Sequence, residues 1–120
     1  MKDNFKVFAT EDNITVVWQL SIIERGTVDA FHAGEGIWWI TRALVQPTKC
    51  RNQGVGSVML RMLINKIAGF HGKKIFVTPG GYEGEKNKQF NFYEKNGFII
   101  PSVDEIECPN KARVYYMSFS

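Results

Sequence analysis

Apolar and polar positions divide the chain into short segments whose period changes along its length. Residues 6–10 (KVFAT) and 14–20 (ITVVWQL) are rich in β-branched and aromatic side chains, and the polar EDN between them signals a turn, which predicts a hairpin. The stretch 21–36 has no clean period, with one strand expected around 27–32. Residues 37–45 (IWWITRALV) form a nearly unbroken apolar run stopped by Pro47, the pattern of a central strand covered on both faces. On such a strand Trp38 and Trp39 point to opposite sides and both are expected in the core, the alternative being that one of them lines a ligand pocket.

From Ser57 the period becomes helical. Leu60, Leu63, Ile64 and Ile67 fall at i, i+3, i+4 and i+7, while Ser57, Arg61 and Asn65 trace a polar stripe. The helix is expected to end near Gly69–Gly72, and 73–79 (KKIFVTP) reads as the next strand. Residues 37–79 are therefore a strand–helix–strand unit, which pairs its strands in parallel. After the glycine-rich loop 80–88, residues 88–98 read as a short helix stopped by a left-handed cap at Asn96–Gly97, followed by strands at 98–100 and 112–119. The pattern as a whole predicts one mixed α/β domain over 1–120.

Composition narrows the function. With 120 residues, 44% hydrophobic and 22% charged, the chain has the make-up of an ordinary soluble domain. A net charge of +3 from scattered lysines and arginines is too mild for a nucleic-acid partner, and a small phosphate-bearing ligand accounts for it. Cys50 and Cys108 form no CxxC, and His32 and His71 stand apart, so zinc-type spacing is absent and no metal is expected. No signal segment and no apolar stretch of about 18 residues is seen, so a cytoplasmic protein with no membrane partner is expected.

The chemistry concentrates at residues 50–60, CRNQGVGSVML. Two glycines at a helix start cost stability unless bare backbone is needed there. Unpaired N–H groups at such a start hold anions, with Arg51 adding charge; a plain glycine turn is the competing reading. The P-loop is excluded because no Lys-Ser or Lys-Thr pair occurs, and the dinucleotide fingerprint is excluded because position 59 is Met. What fits is Arg-x-x-Gly-x-Gly, RNQGVG at 51–56, and a second segment, NFYEKNGF, follows at 91–98. In these two segments, in this order and separated by a helix and a strand, the chain resembles the GCN5-related N-acetyltransferase family over about 37–100.

The resemblance implies a mostly antiparallel sheet with a splayed pair of strands at 37–45 and 73–79. It implies that acetyl-CoA is the co-substrate, with its pantetheine arm on main-chain groups of Leu44 and Val45. The pyrophosphate would lie among Arg51, Asn52, Gln53, Gly54, Val55, Gly56 and Ser57. Tyr93 matches the tyrosine often placed near the thioester sulfur, which makes it the general acid. The implied reaction is direct attack of a primary amine, small-molecule or peptide, on the thioester. The alternative is a non-catalytic module of the same fold that binds a CoA-type ligand or a protein partner.

Three departures from the family pattern bear on the acceptor side. Only 50 residues precede Arg51, and they read mainly as strands, where family members usually carry two helices. The acceptor side is therefore expected to be open or completed by a second subunit, and a homodimer is expected. Lys86 and Gln89 stand where an Asn and an Ala usually fall, and strand 37–45 has no carboxylate to act as base. Glu35, His32, Asp104, Glu105 and Glu107 lie nearby in sequence and are read as solvated surface groups.

Overall fold

A computed structural model describes residues 4–46, 54–77, 92–99 and 115–119. Six strands form one sheet whose spatial order follows the chain: β1 (Phe5–Ala9), β2 (Asn13–Gln19), β3 (Arg25–Gly34), β4 (Ile37–Gln46), β5 (Lys74–Val77) and β6 (Tyr115–Ser118). Helix α1 (Val55–Gly69) joins β4 to β5. Those two strands pair in parallel, and every other pairing is antiparallel. A link of this kind needs a crossover, and α1 supplies it.

The expected hairpin is present. Thr10 Oγ1 accepts from the N–H groups of Asp12 and Asn13, so its side chain closes the polar turn. The uncertain stretch becomes a full ten-residue strand, β3, that pairs with β2 on one side and β4 on the other. Between residues 4 and 46 the described chain has no α-helix, in line with the strand-rich lead-in.

Alternation sets the core. Ile14, Val16 and Trp18 of β2, Val28 and Ala30 of β3, Trp38 and Ile40 of β4, and Ile75 and Val77 of β5 are buried on one face. Met59, Leu60, Leu63 and Ile67 of α1, all 0% exposed, close over them. Each such side chain contributes roughly 1.5–3 kcal/mol by leaving water. Gly26 lets the helix settle, since a Cβ there would stand 2.8 Å from Met59 Cε and 2.9 Å from the Leu44 carbonyl oxygen.

One expectation is corrected: among the described residues, β4 is fully buried on one face only. Trp38 is 1% exposed, but Trp39 is only half-buried and Thr41 and Ala43 are exposed. The apolar run looked two-sided because the uncovered face is aromatic rather than polar. Phe31, Trp39, Phe76 and Tyr116 stand side by side across β3, β4, β5 and β6 on that face.

Candidate active site

Three features built from separate parts of the chain are linked through Gly56, which faces both Val45 and Phe92. The first is the end of β4. Pairing of β4 with β5 runs from Ile37↔Lys74 to Ile40↔Val77, whereas β4 continues to Gln46. Among the described residues, β4 beyond Ile40 pairs with β3 alone, so half of its main-chain groups point away from the sheet. A bulge accompanies the change. Ala30 pairs with Ile40 and Asp29 with Arg42, which leaves Thr41 without an opposite residue. Asp29 braces it, accepting from Thr15 Oγ1 at 2.7 Å and from Arg42 Nε at 2.8 Å. Leu44 and Val45 follow, Leu44 partly exposed and Val45 buried.

The second feature is the start of α1. Gly54 is the N-cap residue, with φ 79°, in the left-handed region that side chains disfavour. It offers no side-chain cap, and the first turn holds no acidic residue. The N–H groups of Val55, Gly56 and Ser57 precede the first intrahelical bond, from Val58 N–H to the Gly54 carbonyl at 3.1 Å. Unpaired donors and a partial positive charge with no competing carboxylate suit an anion. A Cβ on Gly54 would meet nothing within 4 Å, so the approach is open.

Gly56 is constrained differently. Its missing Cβ would lie 3.2 Å from Phe92 Cε1 and 3.9 Å from Val45 Cγ2. Phe92 opens the FYEKNGF segment, so this glycine is where the two sequence signatures touch. Its neighbour Ser57 reinforces the contact: Asn96 Nδ2 donates to Ser57 Oγ at 3.2 Å and to the Phe92 carbonyl at 2.8 Å.

The third feature is Tyr93, in a helical turn over 92–95. That turn ends in a Schellman motif. Phe98 N–H donates to the Tyr93 carbonyl at 3.0 Å, Gly97 N–H donates to the Glu94 carbonyl at 3.1 Å, and Gly97 takes φ 97°. The hydrophobic contact that accompanies such an ending is Tyr93 against Phe98, edge to face with ring centres 5.5 Å apart. Phe92 packs the ring on another side at 5.1 Å. Tyr93 is 4% exposed, and burial pushes its phenol from 10.0 up to about 12.

Of the remaining expected site residues, Arg51, Asn52 and Gln53 lie outside the described residues, as do Lys86, Gln89, Asp104, Glu105 and Glu107. Glu35 is exposed at the tip of the β3–β4 turn. His32 is not the solvated group expected: it is half-buried, stacks on Trp38 at 4.9 Å and accepts from the Gly36 N–H through Nε2 at 3.0 Å. Sequence reasoning missed Asn96 as a bridge, because Asn-Gly reads as a cap alone. It also missed Asp29, which lies in the stretch without clean period.

An acetyltransferase (GNAT) domain model matches residues 3–100. The chain belongs to the GNAT acetyltransferase family. Solved structures share the fold of this GNAT domain. An IAA acetyltransferase from Bacillus cereus superposes with a TM-score of 0.69 at 20% identity, covering 91% of this chain and 79% of that one. A GNAT acetyltransferase from Elizabethkingia anophelis with acetyl-CoA bound gives 0.68 at 20% identity, covering 90% and 77%. The PaiA N-acetyltransferase of Thermoplasma acidophilum in complex with coenzyme A gives 0.70 at 14% identity, covering 90% and 62%. No curated protein matches the sequence. Among the described residues no group of three His, Cys, Asp or Glu could hold a metal, and no helix is long and apolar enough to cross a membrane.

Proposed function

We propose that this GNAT domain is an acetyl-CoA-dependent N-acetyltransferase that acts on a primary amine by direct attack. The observation that carries the reading is the convergence at Gly56, the start of an uncapped helix, of Val45 from the end of β4 and Phe92 from the turn that holds Tyr93. The same site would hold the donor along its length. Main-chain groups of Leu44 and Val45 suit the amide-bearing arm, and the N–H groups of Val55, Gly56 and Ser57 suit its pyrophosphate, joined by Arg51, Asn52 and Gln53.

Acetyl-CoA supplies an activated acetyl group: the amine nitrogen bonds to its carbonyl carbon as the carbon–sulfur bond breaks, the sulfur gains one proton, and the nitrogen loses one to solvent. Strand-edge N–H groups beyond the Thr41 bulge are fixed donors for charge that develops on oxygen. Tyr93 serves the sulfur. With its phenol at about 12 it stays protonated at working pH. Full transfer to a thiolate of ordinary pKa about 8.5 would be uphill by about 5 kcal/mol. Tyr93 therefore acts first as a hydrogen-bond donor, and the proton follows as burial raises the thiol's own pKa.

The absence of a carboxylate along β4 to act as base favours a second reading, a binding module that retains the fold but not turnover. Incubation with acetyl-CoA, a panel of primary amines and a thiol-detecting dye separates them. The enzyme releases thiol only when an amine is present. Acetyl-CoA binding with no thiol release on any amine would establish the module instead.

A further inference from the structure

The two margins of the sheet differ. At β6, Tyr116 pairs with Phe76 on one side and exchanges both main-chain bonds with Ile99 on the other. At the opposite margin, among the described residues, β1 pairs with β2 alone. The hairpin fixes which way the main-chain groups of β1 point. Thr10 N–H donates to the Asn13 carbonyl at 2.8 Å, so these two residues form a hydrogen-bonded pair. Bonded and non-bonded pairs alternate along an antiparallel ladder. In the observed register Phe8↔Thr15 and Lys6↔Val17 are therefore bonded within the hairpin, and Phe5, Val7 and Ala9 turn their N–H and C=O groups outward. The strand carries no proline and its pairing shows no bulge, two devices that usually protect such an edge.

We infer that β1 is an interface with a second copy of this chain, paired antiparallel about a twofold axis at Val7. The inference concerns assembly and holds whether or not the donor site turns over. With α1 on the same face of both copies, the axis can sit at Lys6, Val7 or Phe8. At Lys6 two ammonium groups would stand face to face, which destabilises a strand pair, and Ala9 would be left out. At Phe8 the main-chain groups of Phe5 would be left out. An axis at Val7 is the one that uses every outward group: Val7 bonds Val7 of the partner subunit, and Phe5 bonds the partner's Ala9.

The side chains complement one another in that register. Lys6 falls opposite the partner's Phe8, in a non-bonded pair, where side chains come closest. Phe8 is 61% exposed in the single chain, and the lysine stem and ammonium would cover its ring. On the α1 face a large residue meets a small one, Phe5 against Ala9 of the partner subunit. That contact borders the groove between Val7 of β1 and Met62, Lys66 and Phe70 along α1. Phe70 marks the turn end of the groove, because it packs on Trp38, which pairs with His32, whose N–H donates to the Asp12 carbonyl in the β1–β2 turn. The partner's Phe5, set opposite Ala9, would enter at that end.

Sedimentation equilibrium of the full chain should give twice the mass of one 13.7 kDa chain at micromolar concentration. Val7→Pro removes an outward N–H that the single chain does not use, and should weaken the dimer at least tenfold. Phe8→Lys, at an exposed position, should do the same by setting like charges opposite one another, and adding Lys6→Glu should restore association. Amide exchange reads the register: Phe5, Val7 and Ala9 should slow at least tenfold as concentration rises through the dimerisation range, while Lys6 and Phe8 should not change. A mass of one chain up to the high micromolar range would overturn the inference. So would a dimer that Phe8→Lys leaves intact, or protection that ignores this alternation. A mass growing beyond two copies would also overturn it, since a twofold contact closes on itself.

Discussion

Gly56 and Phe92, 36 positions apart (92 − 56), approach so closely that a Cβ on the glycine would stand 3.2 Å from the phenylalanine ring. The first glycine-rich segment and the second aromatic segment are thus two halves of one packing contact. Gly54 has a different reason to be glycine, its φ of 79°. The two positions should respond differently to the same substitution.

Gly54→Ala acts through the backbone and should cost about 1–2 kcal/mol wherever the neighbours stand. Gly56→Ala acts through Phe92, so Phe92→Leu should recover part of the loss. A double-mutant cycle by chemical denaturation checks this. We expect a coupling of at least about 0.5 kcal/mol for Gly56 with Phe92 and none for Gly54 with Phe92.

Asn96→Ala removes the donor to Ser57 Oγ and to the Phe92 carbonyl. Two lost bonds in a half-buried setting should lower stability by about 1–2 kcal/mol. Ser57→Ala should cost less, because Asn96 keeps its bond to Phe92. Melting curves of the two variants and their combination measure the difference, and the combination should cost little more than Asn96→Ala alone.

Tyr93 gives the fold an alkaline limit. Its folded-state value of about 12 lies above the 10.0 of an unperturbed phenol, so the native state holds the proton longer than the unfolded state. The resulting stability is complete below pH 10 and declines as pH rises toward 12, by about 3 kcal/mol. Tyr93→Phe should remove that slope while leaving stability near neutral pH close to wild type. Denaturation midpoints of both proteins between pH 8 and 11.5 make the comparison.

Much of this arrangement was legible in the sequence, and the parts that were not share a cause. The helical period found Leu60, Leu63 and Ile67, and the NGF ending of the second segment predicted the left-handed Gly97. The strand β3 was blurred by Gly26, Asp29 and Gly34. Gly26 is set by the approach of Met59, and Asp29 by Thr15 and Arg42, partners that local pattern cannot reveal. The open face of β4 was misread because Trp39 and its cross-strand aromatic neighbours carry the same hydrophobic signal as a core. Asn96 served two purposes at once, a helix stop and a bridge to Ser57, and only the first has a local signature.

The core itself gives a reference point for these smaller effects. Leu63 is 0% exposed between α1 and the sheet, so Leu63→Ala should cost about 2–5 kcal/mol. Urea denaturation should show that loss with an unchanged m-value.

The rate of acetyl transfer by Tyr93→Phe, measured in single turnover with the best amine of the panel, tests the proposed role of Tyr93 most directly. That variant removes the hydroxyl and keeps the ring that packs against Phe92 and Phe98. A donor to the departing sulfur predicts a rate about ten- to a thousandfold lower, with acetyl-CoA affinity and melting temperature near wild type. A rate equal to wild type would contradict it and leave Tyr93 as a packing residue alone.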